Sequence, residues 1–358
     1  MHFIFKTDYL QDIRLIKHSG GAFWYTVLLA LLLLAPAVLD DYYIGQLTQL
    51  LIFATAGVGL MLLTGYTGLI SLGHAAFLGI GAYTEAVLLA RGYSFLVSFP
   101  AAAIVTTIVG IIVGLPALRL AGIYLAIATL AFAFIIEEVL ARWESVTHGY
   151  TGMIVEPIVA FGYEFSDGAD FYYLSAGLLI AVVLGSLNLL RAPTGRAMVA
   201  IRDSEIAAQS TGIHLAKYKT IAFAISAGIT GMAGALFAHK LGFLSPESFT
   251  IFQSIELLVL VVVGGLGSIH GAIFGAIFVV VLPQAIAILK GYLPQILADA
   301  PGWEPGVFGL ILLLFIIFEP LGLYGRWMKI KTYFAYFPLY KKATFKRQKS
   351  YMQSDRVR

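Results

Sequence analysis

The sequence predicts an all-α polytopic membrane protein with about ten transmembrane helices, and three observations predict it. The first is bulk polarity: 59% of the 358 residues are hydrophobic and 12% charged, with a mean hydropathy of +0.88, too apolar for a soluble chain of this length. The second is grouping. The apolar residues form continuous runs, each near the roughly 20 residues that a spanning helix needs. Lipid offers the backbone no hydrogen-bond partner, so such runs close their bonds internally as helices, and the alternation of a β-barrel is missing. The third is charge asymmetry. With the N-terminus inside, nineteen of the 23 Lys and Arg fall in inside segments, and only Arg91, Arg142, Lys240 and Lys290 fall outside. That bias predicts that both termini are cytoplasmic.

Residues 1–22 mix Lys6, Arg14 and Lys17 with Asp8 and Asp12 and lack an apolar core before a small-residue cleavage site. They are expected to be a cytoplasmic segment rather than a cleaved signal peptide. Apolar runs follow at 23–39, 44–63, 69–90, 95–118 and 122–140, then at 171–190, 220–238, 251–263, 272–289 and 307–323. The run 251–263 is short unless it extends backward, and the glycines near 65–81 predict a broken, partly re-entrant helix. The outside loops are acidic, with Asp40, Asp41, Glu144, Glu156, Glu164, Asp167, Asp170, Asp299 and Glu304. Residues 23–325 thus form the transmembrane domain, and 326–358 a basic cytoplasmic tail. In the tail, basic residues such as Lys329, Lys341 and Arg347 interleave with Tyr333, Phe334, Tyr336 and Phe337. That composition suits anionic lipid headgroups and gives no sign of a nucleic-acid partner.

The long cytoplasmic loop 191–219 is helix-compatible over 196–211, with Pro193–Gly195 expected to precede that helix and Gly212 to stop it. Two readings remain open: docking into a groove on a soluble partner, or a connector resting on the membrane surface. Gly65, Gly68, Gly73, Gly79 and Gly81 are too many for an ordinary helix, where each costs about 1 kcal/mol relative to Ala. In a membrane they permit close packing and breaks that expose backbone to a pathway. Gly110 with Gly114, and Gly228, Gly231 and Gly234, have the same close-packing spacing. His74, Ala76 and Gly79 share spacing with His270, Ala272 and Gly275, which hints at an internal repeat.

Ionisable residues within spans are functional candidates because burying charge in hydrocarbon is costly. Glu137 and Glu138 sit at an outer helix end and reach water. Glu85 either lines an outward vestibule or is structural, and Glu256 is expected to face a polar cavity or a neighbouring subunit. His74 either contacts substrate or bonds a backbone carbonyl freed by the break, the second being the reading preferred here. Cysteine is absent, and no catalytic, metal-ligating or cofactor-binding arrangement such as HExxH is present.

The segment GRAMVAIRDSEIAAQSTGI, 195–213, resembles the Glu-Ala-Ala coupling loop of binding-protein-dependent permeases, specifically the LivM-type branched-chain amino acid permeases. Ala207, Ala208 and Gly212 keep the pattern's spacing, while Glu205 is displaced by Ile206 and the downstream Leu-Pro is missing. GYTGLISLGHAAFLGIGAYTEAVLL, 65–89, is similar to that branch's segment after the second span, and FEPLGLYG, 318–325, to the end of its last span. THGYTGM, 147–153, matches less faithfully. The resemblance implies a non-catalytic, channel-forming subunit in a prokaryotic inner membrane. Its expected partners are a second, LivH-like permease subunit, two cytoplasmic ATPases and an extracytoplasmic binding protein. Arg202, Asp203, Glu205, Ala207, Ala208 and Gly212 would then form the ATPase-coupling surface, and Gly65, Gly68, His74, Glu85 and Glu256 are pathway candidates. The chain has no G-x-x-x-x-G-K-[ST] phosphate loop, so ATP hydrolysis would fall to other chains. The rival reading is an ion-gradient-driven secondary transporter of small polar solutes, which broken helices and buried carboxylates would also serve.

Overall fold

A computed structural model describes residues 19–117, 120, 122–160, 162–165, 168–292 and 302–336. The expectations about residues 1–18, about the tail beyond 336 and about Arg119, Asp167 and Asp299 lie outside those residues.

The apolar runs are helices. In chain order they are α1 (Ser19–Val38), α2 (Asp41–Leu60), α3 (His74–Ala90), α4 (Phe95–Ala117) and α5 (Ile123–Arg142). A short α6 (Glu144–Thr147) opens the next loop, and α7 (Ala169–Arg191) follows it. The loop helices α8 (Pro193–Asp203) and α9 (Glu205–Ser210) precede α10 (Leu215–Leu241), α11 (Ile251–Gly264), α12 (Ile269–Lys290), α13 (Trp303–Phe318) and α14 (Gly322–Tyr336). Among the described residues, seven helices are long and apolar enough to cross a membrane, or eight if the bent pair α13–α14 is one span. The shorter apolar helices at Ala22–Val38 and His74–Ala90 account for the other two expected runs. The expected extension of 251–263 is present: a 3-10 turn, Pro246–Phe249, continues α11 backward.

The expected span 69–90 is shorter than its hydropathy suggested. α2 continues as a π-helix, Met61–Tyr66, and helix resumes only at His74, so the break covers 67–73 rather than all of 65–81. Gly68 takes φ 76, a conformation that ends the helix without Cβ strain.

α2 with its π extension and α10 form the core, 83% and 72% buried over their apolar windows against 22% for α4. Glycines set the spacing of α10. A Cβ on Gly81 of α3 would meet the Cα of Gly231 at 2.6 Å, and one on Gly110 of α4 would meet Ala227 Cβ at 2.5 Å. The small-residue motifs read from sequence are therefore the contact lines of α10 with α3 and α4.

The connections sort to two ends of the bundle. At one end, β1 (Met153–Ile154) pairs antiparallel with β4 (Phe243–Leu244), in register Met153↔Leu244, beside the hairpin of β2 (Ile158–Ala160) and β3 (Tyr163–Phe165). Lys290 and Glu304 form a 3.0 Å ion pair between the ends of α12 and α13. The THGYTGM stretch supplies the turn into β1, with Thr147 Oγ1 donating to the Leu140 carbonyl at 2.7 Å. The other end holds the loop α8–α9, the break 67–73, the turn 264–268 and the start of α14.

Candidate functional site

The break 67–73 enters the core, and its backbone groups must find partners there. Side-chain oxygens supply them. Leu72 N–H donates to Thr129 Oγ1 of α5 at 3.0 Å, and Ala75 N–H to Ser254 Oγ of α11 at 3.0 Å. Thr67 Oγ1 donates to the Leu62 carbonyl at 2.9 Å and Thr64 Oγ1 to the Leu69 carbonyl at 3.1 Å. Three helices thus converge on one interrupted segment.

His74, fully buried at the start of α3, lies 3.0 Å from Ser71 Oγ through Nδ1 and 2.8 Å from Ser226 Oγ of α10 through Nε2. Ser226 Oγ donates to the Gly59 carbonyl at 2.7 Å. His74 therefore reaches a backbone carbonyl of α2 through a serine rather than directly.

Glu85 is also fully buried. Ser98 Oγ donates to its Oε1 at 2.7 Å, His239 Nε2 lies 3.4 Å from the same oxygen, and among the described residues Oε2 has no partner. These residues join α3, α4 and α10 inside this chain. Glu256 is half-buried on α11 and accepts from Gln253 Nε2 at 3.0 Å. Glu137 and Glu138 lie at the open end of α5, where Glu138 pairs with Arg142.

The loop 191–219 is two helices rather than the single one expected over 196–211. Pro193 and Gly195 lie within α8 instead of preceding it, because proline at the first helical position sacrifices no helical N–H. Ser204 separates the helices in extended conformation and caps α9, its Oγ accepting from Ala207 N–H at 3.3 Å. Gly212, with φ 86, sits just past the end of α9, where its N–H donates to the Gln209 carbonyl at 3.0 Å.

This loop is anchored at two points. Glu205 accepts from Lys219 Nζ at 2.8 Å, and that lysine is 2% exposed at the base of α10. Arg202 Nη1 donates to the Gly65 carbonyl at 3.1 Å, while Nε and Nη2 bond Asp203 Oδ1 at 3.2 and 3.0 Å. Arg202 thereby joins two sets of residues picked out separately from sequence, the loop and the glycines Gly65 and Gly68. Within α9, Ala208 is buried and Ala207 exposed, while Ile206 stands 83% exposed. Ile206 is the exposed apolar residue that sequence reasoning passed over as an intruder in the Glu-Ala-Ala pattern. Its signal was an apolar side chain in an otherwise polar stretch.

The turn 264–268 packs on the same spot. Gly267 N–H donates to Met61 Sδ at 3.3 Å, and a Cβ on Gly65 would meet Gly267 N at 2.7 Å. Gly322, within the FEPLGLYG stretch, packs against Gly265 with no room for a Cβ. His270 ends up in a different environment from His74, stacked on Tyr324 and bonded to Tyr25 at 3.0 Å.

A family model described as branched-chain amino acid transport system / permease component matches residues 42–316. The high-affinity branched-chain amino acid transport system permease protein LivM of Salmonella typhimurium is 36% identical over 325 residues, 83% of this chain and 74% of the relative. LivM of Escherichia coli is 37% identical over the same shares. The autoinducer 2 import system permease protein LsrC of Salmonella paratyphi A is 26% identical over 330 residues, 86% of this chain and 87% of the relative. No solved structure matches. With broken helices, an anchored loop and a match over most of its length, this multi-pass membrane chain belongs to the family of permease components of branched-chain amino acid transport systems.

Proposed function

We propose that this chain is the channel-forming permease subunit of an importer for branched-chain amino acids in a prokaryotic inner membrane. Two cytoplasmic ATPase chains power the assembly, to which this chain couples through its loop 191–219, and a second, LivH-like permease subunit completes the pathway. A binding protein delivers substrate at the opposite face, and both termini are cytoplasmic. The observation that carries this reading is α9. It is fixed to the bundle through Glu205 and Lys219 yet presents Ile206 to solvent, at the end where both helix interruptions lie. An anchored surface with an exposed apolar residue is what a partner that pushes on the bundle requires.

Substrate class rests on relatedness. Identity to LivM is 36%, against 26% to the LsrC of Salmonella paratyphi A, which favours a branched aliphatic amino acid over autoinducer 2.

The test is uptake of labelled leucine into proteoliposomes holding this chain with its permease, ATPase and binding-protein partners. Import is expected only with ATP on the loop side and binding protein on the other, with isoleucine and valine competing. Uptake by this chain alone under a proton or sodium gradient would overturn the proposal in favour of a secondary transporter.

A further inference from the structure

Arg202 holds a position that the coupling role of the loop does not by itself require. Its side chain leaves the loop and wedges between two interruptions that are distant in sequence. On one side is Gly68, φ 76, whose Cβ, if present, would lie 3.1 Å from Arg202 Cγ. On the other is Gly267, φ 83, where a Cβ would lie 3.1 Å from Nη1. Both positions thus combine a positive φ with a volume that arginine already fills. The acceptor is also unusual. Gly65 belongs to the π-helix, in which the ordinary bonding ladder is shifted, and such single turns within α-helices are frequent at functional sites. The guanidinium fork reaches the Gly65 carbonyl with one nitrogen and Asp203 with two others, a geometry that a lysine ammonium cannot reproduce.

We propose that Arg202 is a positioning residue that ties displacement of α8–α9 to the two interruptions, 61–73 and 264–268, so that one movement of the loop shifts both. Around Arg202 the bundle is glycine-spaced and close-packed, and such interfaces switch between discrete arrangements rather than deform smoothly. The 67–73 segment in turn bonds α5 through Thr129, and Ala75, in the first turn of α3 directly after it, bonds α11 through Ser254. A displacement entering at Arg202 therefore has a contiguous route to α3, α5 and α11.

This inference rests on the transport reading above, and its test separates the two. In the reconstituted complex, the quantity measured is leucine imported per ATP hydrolysed. Arg202→Gln is expected to lower that ratio by roughly tenfold, in the range of a typical coupling between sites. Arg202→Lys is expected to lower it less. Because the chain has no cysteine, Ile70→Cys reports on the break alone, Ile70 being 43% exposed. Its labelling by an impermeant maleimide is expected to change on adding ATP in the otherwise unsubstituted complex, and to stop changing when Arg202→Gln is added. An unaltered import ratio with ATP-dependent labelling in Arg202→Gln overturns the proposal. Failure of the unsubstituted complex to import with ATP overturns instead the reading beneath it. Should Arg202→Gln fail to assemble, Gly68→Ala displaces the same contact from the break side. It should lower the ratio too, and an unchanged ratio there overturns the proposal.

Discussion

His74 Nε2 and Ser226 Oγ lie 2.8 Å apart, and the direction of every bond around them follows from one fact: the Ser226 hydroxyl proton is already given to the Gly59 carbonyl. Nε2 must therefore carry the proton that Ser226 accepts. Nδ1 is then the acceptor for the Ser71 hydroxyl, and Ser71 Oγ in turn accepts from Gly73 N–H at 3.3 Å. With neutral imidazole this fixes a single tautomer, protonated at Nε2. His74→Ala removes the link between the break and α10 and is expected to cost about 2–4 kcal/mol, from lost bonds and a cavity. His74→Gln, able to donate and accept, should lose less. Thermal unfolding in detergent measures both, and equal losses would contradict the relay.

Glu85 and His239 share the core with Ser98, and among the described residues Glu85 keeps one oxygen without a partner. Removing the histidine leaves the buried carboxyl with Ser98 alone, so His239→Leu is expected to destabilise by about 1–3 kcal/mol. Adding Glu85→Gln to His239→Leu should recover part of that loss. A double-mutant cycle on unfolding midpoints checks it, and additive losses would show that the two residues act independently.

Glycines in this chain are predicted to divide by what faces them. A Cβ on Gly81 would lie 2.6 Å from Gly231 Cα, whereas Gly177 and Gly185 in α7 have nothing within 4 Å. Gly81→Ala should destabilise, because α3 and α10 must separate. Gly177→Ala and Gly185→Ala should change stability by no more than about 1 kcal/mol and tend to raise it. The three unfolding midpoints decide the matter.

Ile206, at 83% exposure, contributes little to folding and is free to meet a partner. Ile206→Asp is expected to leave the unfolding midpoint within about 0.5 kcal/mol of the original and to abolish co-purification with the ATPase chains. Ala208 is 3% exposed, so Ala208→Arg should instead destabilise the loop itself. Retained co-purification in Ile206→Asp would move the docking surface elsewhere.

The glycine-rich break and the small-residue packing lines were legible in the sequence because both depend on local chemistry: glycine frees the backbone and leaves no side chain between helices. The extent of the break was less legible. Hydropathy cannot distinguish a largely buried non-helical segment such as 69–73 from a helix, since both are apolar, and the serine and threonine partners that make it tolerable come from α5 and α11. Ala207 and Ala208 matched a family pattern equally well, yet one is exposed and the other buried. That difference is set by how α9 rests on the bundle.

By itself, the sequence determined that the bilayer is this chain's solvent, that its apolar runs are helices and that its charges favour one orientation. These follow from composition and from the obligation of each backbone group to be bonded in lipid. The tertiary structure alone decided which buried ionisable groups share an environment, as Glu85, Ser98 and His239 do, and that Arg202 touches Gly65. Residues 137 positions apart meet through packing, and no local pattern records that meeting.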